Sequence, residues 1–468
     1  MSQRLAIFGL GRSGIAVAKA ALKAGMRPEV FDEAQLDSIS KAELVQECAD
    51  IHVPVHLGSP SPLPLGASDG SDSDGVCDLL VVNPAIDKRH PSLKAAQEHG
   101  IEVISEIEFA YRISKAPIIA ITGTNGKSTT TLMTWLILKE AGLDAILCGN
   151  IYGTGYPEIP LTQAASESTH EQVLVAEVSS FQLEWVQDFH PVCACITNIT
   201  PDHLNRYEGS FEEYAETKQR IFANLSREDT AIIKAGDPVV RAPRGPIIKT
   251  FGSSGEHAFA DGNILVIGDE EIETADLPFG GAHNYLNAMA AGLLATSYMD
   301  SRVPRVEESM ARDAVCRGLK KFKGLEHRME ELGTTADGVT MINNSMCTNP
   351  DAVVKSCLSI NRPLHILMGG ENKGLDFTPM RELLSGTQNK AYIFGESKDQ
   401  ISAQANGDSS VHETMQDAFE HALRNAKRGD VIILAPGCAS TDQFKDFRHR
   451  GDVFRTLAKE WLQSCSGP

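Results

Sequence analysis

Ile118-Ile119-Ala120-Ile121-Thr122-Gly123-Thr124-Asn125-Gly126-Lys127-Ser128-Thr129 decides the fold: a short apolar run, a loop with two glycines, then Lys-Ser-Thr opening a helical stretch. The apolar run reads as a buried strand. A strand that ends in a glycine loop and returns as a helix is the unit of a parallel sheet covered by helices on both faces. In such a loop successive backbone N–H groups cradle phosphate oxygens, Lys127 neutralises β/γ charge, and a hydroxyl of Ser128 or Thr129 reaches a magnesium ion. Ile121 stands where the general phosphate-loop pattern has its first glycine. The pattern points to ATP, bound by Gly123, Thr124, Asn125, Gly126, Lys127, Ser128 and Thr129.

The same rhythm opens the chain. An apolar run at 4–8 leads into Gly9-Leu10-Gly11-Arg12-Ser13-Gly14, an Ala-rich helix at 15–24 ends at Gly25, and a second strand at 28–31 closes on Asp32. G-x-G-x-x-G lets backbone N–H groups approach a pyrophosphate, and an acid at the end of the next strand suits a ribose hydroxyl. Gly11, Arg12, Ser13 and Asp32 are therefore candidate contacts to a dinucleotide or a nucleoside diphosphate; the motif does not choose between NAD and a UDP-sugar, and a ligand-free tight turn uses the same glycines. Further apolar runs at 79–82, 173–178, 193–199 and 431–434 make the chain α/β. A dehydrogenase has no use for the second loop, and a motor NTPase has none for the first.

At 468 residues the chain is long enough for about three domains of roughly 150 residues. Breaks are expected near Ser114 and within the Lys/Gly-rich stretch 318–324, giving 1–114, 115–320 and 321–468. The Ser/Pro/Gly/Asp-rich segment 59–75 reads as a flexible surface loop, and 163–171 as a second polar insert. Lys+Arg 43 against Asp+Glu 62 leaves a net charge of -19, which argues against nonspecific nucleic-acid binding. The N-terminus has no signal-peptide pattern, no apolar run approaches the ~20 residues of a membrane span, and ten dispersed cysteines without a C-x-x-C pair read as reduced core thiols. A cytoplasmic protein without a membrane span is expected.

Other candidates carry chemistry. Glu177, at the end of the run 173–178, projects toward the strand-end crevice where a phosphate-bound magnesium needs a carboxylate, although taken alone it reads more simply as a solvated carboxylate at a strand end. Asn198-Ile199-Thr200-Pro201-Asp202-His203-Leu204 precedes a helix whose apolar stripe is Phe211, Tyr214, Ala215, Ile221, Phe222 and Leu225. Lys218 falls inside that stripe. A lysine there either deprotonates, pairs with an acid, or runs its stem out to water. Asn284 and Asn287 share a helix face at i, i+3, suited to holding an adenine or phosphate edge or to capping. Arg328 is a fixed cation after the second expected break. The loops 369–373 and 435–440 follow apolar strands and suit small ligands.

Taken in order, G-T-N-G-K-S-T, E-V-S-S-F-Q-L-E, D-H-L with its downstream lysine, G-A-H-N-x-x-N, H-R-x-E and C-A-S-x-D-Q-F-K-x-F resemble the Mur ligase family across nearly the whole chain, and its glutamate-adding members most. The resemblance implies a Rossmann-like N-terminal domain for UDP, a central P-loop ATPase-like domain and a Rossmann-like C-terminal domain carrying the amino acid. It implies an ATP-dependent ligase that adds D-glutamate to UDP-N-acetylmuramoyl-L-alanine through an acyl phosphate, as a monomer. By the same resemblance Lys127 holds phosphates; Ser128 or Thr129 with Glu177 holds one Mg2+, and His203 with a carbamylated Lys218 a second. Asn284, Asn287 and Arg328 contact ATP, and Asn150 faces the UDP-linked substrate. Thr348, Lys373, Ser440 and Phe447 match glutamate-binding positions. Asn343-Asn344-Ser345-Met346-Cys347-Thr348-Asn349 departs from the family's usual N-D-S-K-x-T-N: Asn344 replaces an aspartate and Met346 a lysine. Ligation of L-glutamate, and an NAD-dependent oxidoreductase built on Gly9–Gly14, are the alternatives.

Overall fold

Strand residues alternate between the two faces of a sheet, so a strand covered on both sides must be apolar throughout. In β1 (Arg4–Phe8), Leu5 and Ile7 enter one core with Val17, Ala18 and Ala21 of the helix Arg12–Lys23, while Ala6 and Phe8 enter another with Leu80, Leu93 and Ala96. The computed structural model describes residues 3–34, 39–58, 77–303, 308–371 and 374–465. The whole of the expected loop at 59–75 lies outside the described residues, as does Lys373.

β1, β2 (Arg27–Asp32), β3 (Val55–Leu57), β4 (Leu79–Val82) and β5 (Glu102–Ser105) form a parallel sheet in the order β3-β2-β1-β4-β5. A second sheet contains β6 (Ile118–Thr122), β7 (Asp144–Gly149), β8 (Gln172–Glu177), β9 (Cys193–Ile196), β10 (Thr230–Lys234), β11 (Ile247–Gly252), β12 (Ala258–Asp261), β13 (Ile264–Ile267) and β14 (Glu270–Glu273). Its order is β14-β13-β12-β11-β10-β9-β6-β8-β7. The third comprises β15 (Glu330–Thr334), β16 (Thr340–Asn343), β17 (Leu364–Gly369), β18 (Lys390–Phe394), β19 (Ser409–Val411) and β20 (Val431–Leu434), in the order β15-β16-β20-β17-β18-β19.

The chain is α/β, but its sheets are not purely parallel. β12–β13 and β13–β14 are antiparallel hairpins with the tight turns Gly262-Asn263 and Gly268-Asp269, where both glycines take positive φ. Their alternation, with Leu265, Ile267 and Ile272 buried between more exposed neighbours, is that of a sheet with one wet face. β15 is likewise antiparallel to β16. The expected polar insert at 163–171 is instead largely the helix Leu161–Glu167, because Leu161, Ala164 and Ala165 share a buried face against the central core. The strand expected over 193–199 stops at Ile196, where Thr197 and Asn198 turn their side chains to the phosphate loop. The Lys218 helix runs Phe211–Gln219 and tightens into a 3-10 turn, Arg220–Phe222.

The chain forms two compact units. One holds the first two sheets, up to Tyr152 and again over Pro157–Lys323; the other holds Gly153–Tyr156 and the third sheet. Within the first unit, buried Glu108 accepts the backbone N–H groups of Gln187, Asp188 and Phe189 and pairs with Arg112. Arg206 pairs with Glu184 at 2.7 Å and donates to the carbonyls of Pro84 and Ile86. These charge-assisted contacts fix the first sheet to the second.

Candidate active site

Gly123 (φ +149°) and Gly126 (φ +82°) shape the loop between β6 and the helix Lys127–Glu140. A Cβ at Gly123 would lie 2.0 Å from Thr197 Oγ1, and one at Gly126 2.3 Å from Asn287 Oδ1. Asn198 clamps the loop: its carbonyl accepts from Thr124 N–H (2.8 Å), its Oδ1 from Asn125 N–H (3.1 Å), and its Nδ2 donates to the Asn125 carbonyl (3.0 Å). Thr197 Oγ1 donates to the same carbonyl at 2.6 Å. Thr124 Oγ1 donates to the Thr200 carbonyl and meets Tyr214 Oη at 3.1 Å. Ser128 and Thr129 sit buried in the first helical turn, whose orphan N–H groups and dipole favour an anion.

Two amino groups bear on one oxygen. Lys127 Nζ donates to the carbonyls of Gly123 (3.1 Å) and Thr124 (3.0 Å), and Lys218 Nζ donates to the Gly123 carbonyl at 2.8 Å. Lys218 is 2% exposed, with Nζ 4.9 Å over the Tyr214 ring. Burial, then the Lys127 charge, hold its pKa well below the ordinary lysine value, against the opposing pull of Asp202 and Glu177. Burial and the neighbouring cation thus favour the uncharged amine at the stripe position flagged in the sequence, beside the phosphate loop.

Glu177 ends β8 in register with Ile121 and is 3% exposed. Its Oε1 accepts from Asn150 Nδ2 at 3.3 Å; its Oε2 is buried without a hydrogen-bond partner. A buried carboxylate oxygen with nothing to bind is costly, and a cation answers it. His203 takes φ +51°, is half-exposed, lies 3.7 Å from Asp202 and sets its ring edge on Phe181. Partial burial, together with the Lys127 and Lys218 charges, lowers its pKa against Asp202. Among the described residues no three His, Cys, Asp or Glu side chains form a ready metal cage. Magnesium fits such a site, because it is held by one or two carboxylates completed by hydroxyl, water and phosphate oxygens.

Asn284 and Asn287 do different work. Asn287 is buried against the phosphate loop and accepts from Thr130 Oγ1, whereas Asn284 Nδ2 donates to the Gly280 carbonyl just before its own helix. At the first sheet, Asp32 accepts from the N–H groups of Leu10 (2.6 Å) and Ala34 and pairs with Lys41, so it ties the glycine loop to the end of β2. Gly11 and Ser13 flank the start of the first helix. Arg12 sits there with its guanidinium over the Tyr152 ring and paired with Glu158. Asn83, after β4, is a residue the sequence reading missed: a Cβ at Gly9 would lie 2.6 Å from its Cβ, and its Nδ2 lies beside Gly11.

In the second unit, Arg328 Nη2 meets Met346 Sδ at 3.1 Å. Asn344 is buried, accepts from Met329 N–H and donates to Ser356 Oγ, so both ends of the neutral amide are engaged. Thr348 is half-buried in the loop after β16, Ser440 is buried after β20, and Phe447 opens the helix Phe447–Cys465 with its ring edge toward His327. The three occupy the strand-end side of this sheet, the usual ligand side of a doubly wound fold.

Family profiles match three stretches of the chain: "Mur ligase MurD-like, N-terminal domain" at 3–105, "Mur ligase middle domain" at 121–295 and "Mur ligase, glutamate ligase domain" at 327–438. The UDP-N-acetylmuramoylalanine–D-glutamate ligase of Koribacter versatilis is 36% identical over 98% of both chains. The chain belongs to the Mur ligase family. The enzyme of the same name from a Thermoanaerobacter species is 34% identical to this Mur ligase over 98% of both. The crystal structure of UDP-N-acetylmuramate-alanine ligase MurC from Thermotoga maritima shares its fold, with a TM-score of 0.58 at 16% identity over 98% of this chain and 100% of that one. Members of the family are ATP-dependent, amide-bond-forming ligases that use ATP with Mg2+.

Thr197 of this Mur ligase also went unread in the sequence, while Asn198 was read only as the start of a tract and Tyr214 only as part of an apolar stripe. For Thr197 and Asn198 the signal was position, since residues just past a strand beside the glycine loop's own strand must border that loop.

Proposed function

We propose that this Mur ligase joins D-glutamate to UDP-N-acetylmuramoyl-L-alanine at the expense of ATP, in peptidoglycan precursor synthesis. One observation carries the reading: full-length similarity to relatives named for that ligation. The phosphate loop, with buried Glu177 and Lys218 beside it, supports the chemistry. We assign 1–114 to the UDP moiety, 115–320 to ATP and 321–468 to the amino acid. We assign the reaction to the cytoplasm, where buried thiols stay reduced, and to a monomer.

The substrate carboxylate attacks the γ-phosphorus, ADP departs, and an acyl phosphate forms. The glutamate amine attacks that carbonyl, loses a proton, and inorganic phosphate leaves as the amide closes. Gly123, Thr124, Asn125, Gly126 and Lys127 hold the phosphates and offset the repulsion between two anions. Asn287, Asn284 and Arg328 contact the nucleotide. Gly11, Arg12, Ser13, Asp32 and Asn150 orient the UDP-linked acid; Thr348, Lys373, Ser440 and Phe447 hold glutamate. Glu177, with Ser128 or Thr129, would hold one Mg2+, and His203 with Lys218, carbamylated by carbon dioxide, a second. The ions neutralise phosphate charge.

The test offers ATP and UDP-N-acetylmuramoyl-L-alanine with D-glutamate, L-glutamate or meso-diaminopimelate, and measures phosphate release. Release with D-glutamate alone is expected; release with another amino acid only, or with none, overturns the reading. Lys218→Ala should lose activity and regain part of it with added short-chain carboxylic acids. Full activity in Lys218→Ala without them would sink the carbamate.

A further inference from the structure

Arg450, in the first turn of the helix Phe447–Cys465, is fully buried, and among the described residues no carboxylate pairs with it. Its guanidinium is satisfied by oxygens of two loops and one strand end. Nε donates to Ser345 Oγ (3.1 Å) and Nη2 to the Ser345 carbonyl (3.0 Å), in the loop after β16. Nη1 donates to the carbonyls of Cys438 and Ala439 (3.1 Å each), after β20, and lies 3.5 Å from the carbonyl of Gly369 at the end of β17. β16, β20 and β17 are adjacent in the sheet and mutually parallel. One side chain thus gathers the carboxyl ends of three neighbouring strands.

The geometry has two consequences. In a trans peptide C=O and N–H point opposite ways, so the Ala439 carbonyl turned onto Arg450 turns the Ser440 N–H away from it. Ser345 Oγ in turn donates to the Phe447 carbonyl at 2.7 Å, so the same network fixes the start of the helix that carries Phe447. Thr348, Ser440 and Phe447 all belong to segments pinned in this way. Burial pulls the Arg450 pKa down to about 10, which leaves it cationic at neutral pH. A buried, unpaired cation under these loops favours an anionic ligand above them and disfavours a neutral one.

We propose that Arg450 is the positioning residue of the amino-acid subsite, holding the loops after β16 and β20 and the end of β17 in the arrangement that accepts an acidic amino acid. It rests on the reading of this chain as a glutamate ligase.

Steady-state kinetics of the full chain test it, with ATP, the UDP-linked acid and D-glutamate varied in turn. Arg450→Met keeps the volume and removes the charge and donors. It should raise the KM for glutamate about tenfold or more, with the KM for ATP and for the UDP-linked acid within about twofold. Arg450→Lys, which restores the charge with fewer donors, should recover part of that loss. Should Arg450→Met not fold, Arg450→Lys and Ser345→Ala, each checked for a cooperative melt, carry the test on the same split. An unchanged glutamate KM in the folded variants, or an equal rise in all three KM values, overturns the proposal. Wild-type protein that ligates no glutamate in the same assay overturns the ligase reading, and this proposal falls with it.

Discussion

Gly126 shows how little freedom one residue of the nucleotide loop has. Its positive φ costs an L-residue about 1–2 kcal/mol, and its missing Cβ is the space that Asn287 Oδ1 fills at 2.3 Å. Gly126→Ala is therefore expected to raise the KM for ATP about tenfold or more and to lower the melting temperature, read by kinetics and thermal unfolding. Glu177 predicts opposite signs for stability and turnover. Glu177→Gln keeps the Asn150 contact and removes a buried charge with one unpartnered oxygen, so the melting temperature should hold or rise. Turnover should fall about a hundredfold through the loss of a metal ligand. A fall in both would place Glu177 in the scaffold.

At the scale of elements, buried Glu108 joins two sheets through three backbone N–H groups and Arg112. Glu108→Ala strips the three N–H groups of their acceptor, leaves Arg112 its Glu102 pairing, and should cost about 3 kcal/mol, measured by denaturant unfolding. The sequence announced the glycine loops and the strands beside them, since those depend on local spacing: Gly123, Gly126, Lys127 and the apolar run before them are contiguous. It also flagged Lys218, because a lysine inside an apolar stripe breaks a local rule. What it could not show were partnerships made across the chain. Asn198 clamps a loop some 70 residues earlier, Asp32 is engaged by Leu10 and Lys41, and Arg450 closes on two loops and a strand end. Nothing in the neighbouring sequence marks those partners. The helix Leu161–Glu167 hid for another reason: its buried face is small residues, which a polar composition masks.

Across the whole molecule, acid sensitivity is expected from histidines that burial keeps neutral, His203 and His283 in the first unit and His327 and His365 in the second. Burial is the main cause that holds His327 and His365 below the ordinary imidazole pKa of 6.5. Arg455 adds to it at His327 against Asp452, Glu330 and Glu326; at His365, Asp430 opposes it. Below that value the unfolded chain binds protons that the native state refuses, so stability is lost as pH falls through and below 6.5 and is retained above it. Calorimetry from pH 7.5 to 5.5 should show the melting temperature dropping, and His365→Gln should flatten the slope.

The second unit includes Gly153–Tyr156, a short excursion from the middle of the chain. The Thr154 carbonyl accepts from Glu326 N–H, and Gly153 lies so close to Phe447 that a Cβ there would be 2.6 Å from its ring. Genetic exchange therefore meets a condition that counting three sheets would not suggest. A crossover near 324 alone would import a foreign terminal part without the tetrapeptide it packs on. Homologous parts should interchange between relatives cleanly only when 153–156 travels with 324–468, as two inserts.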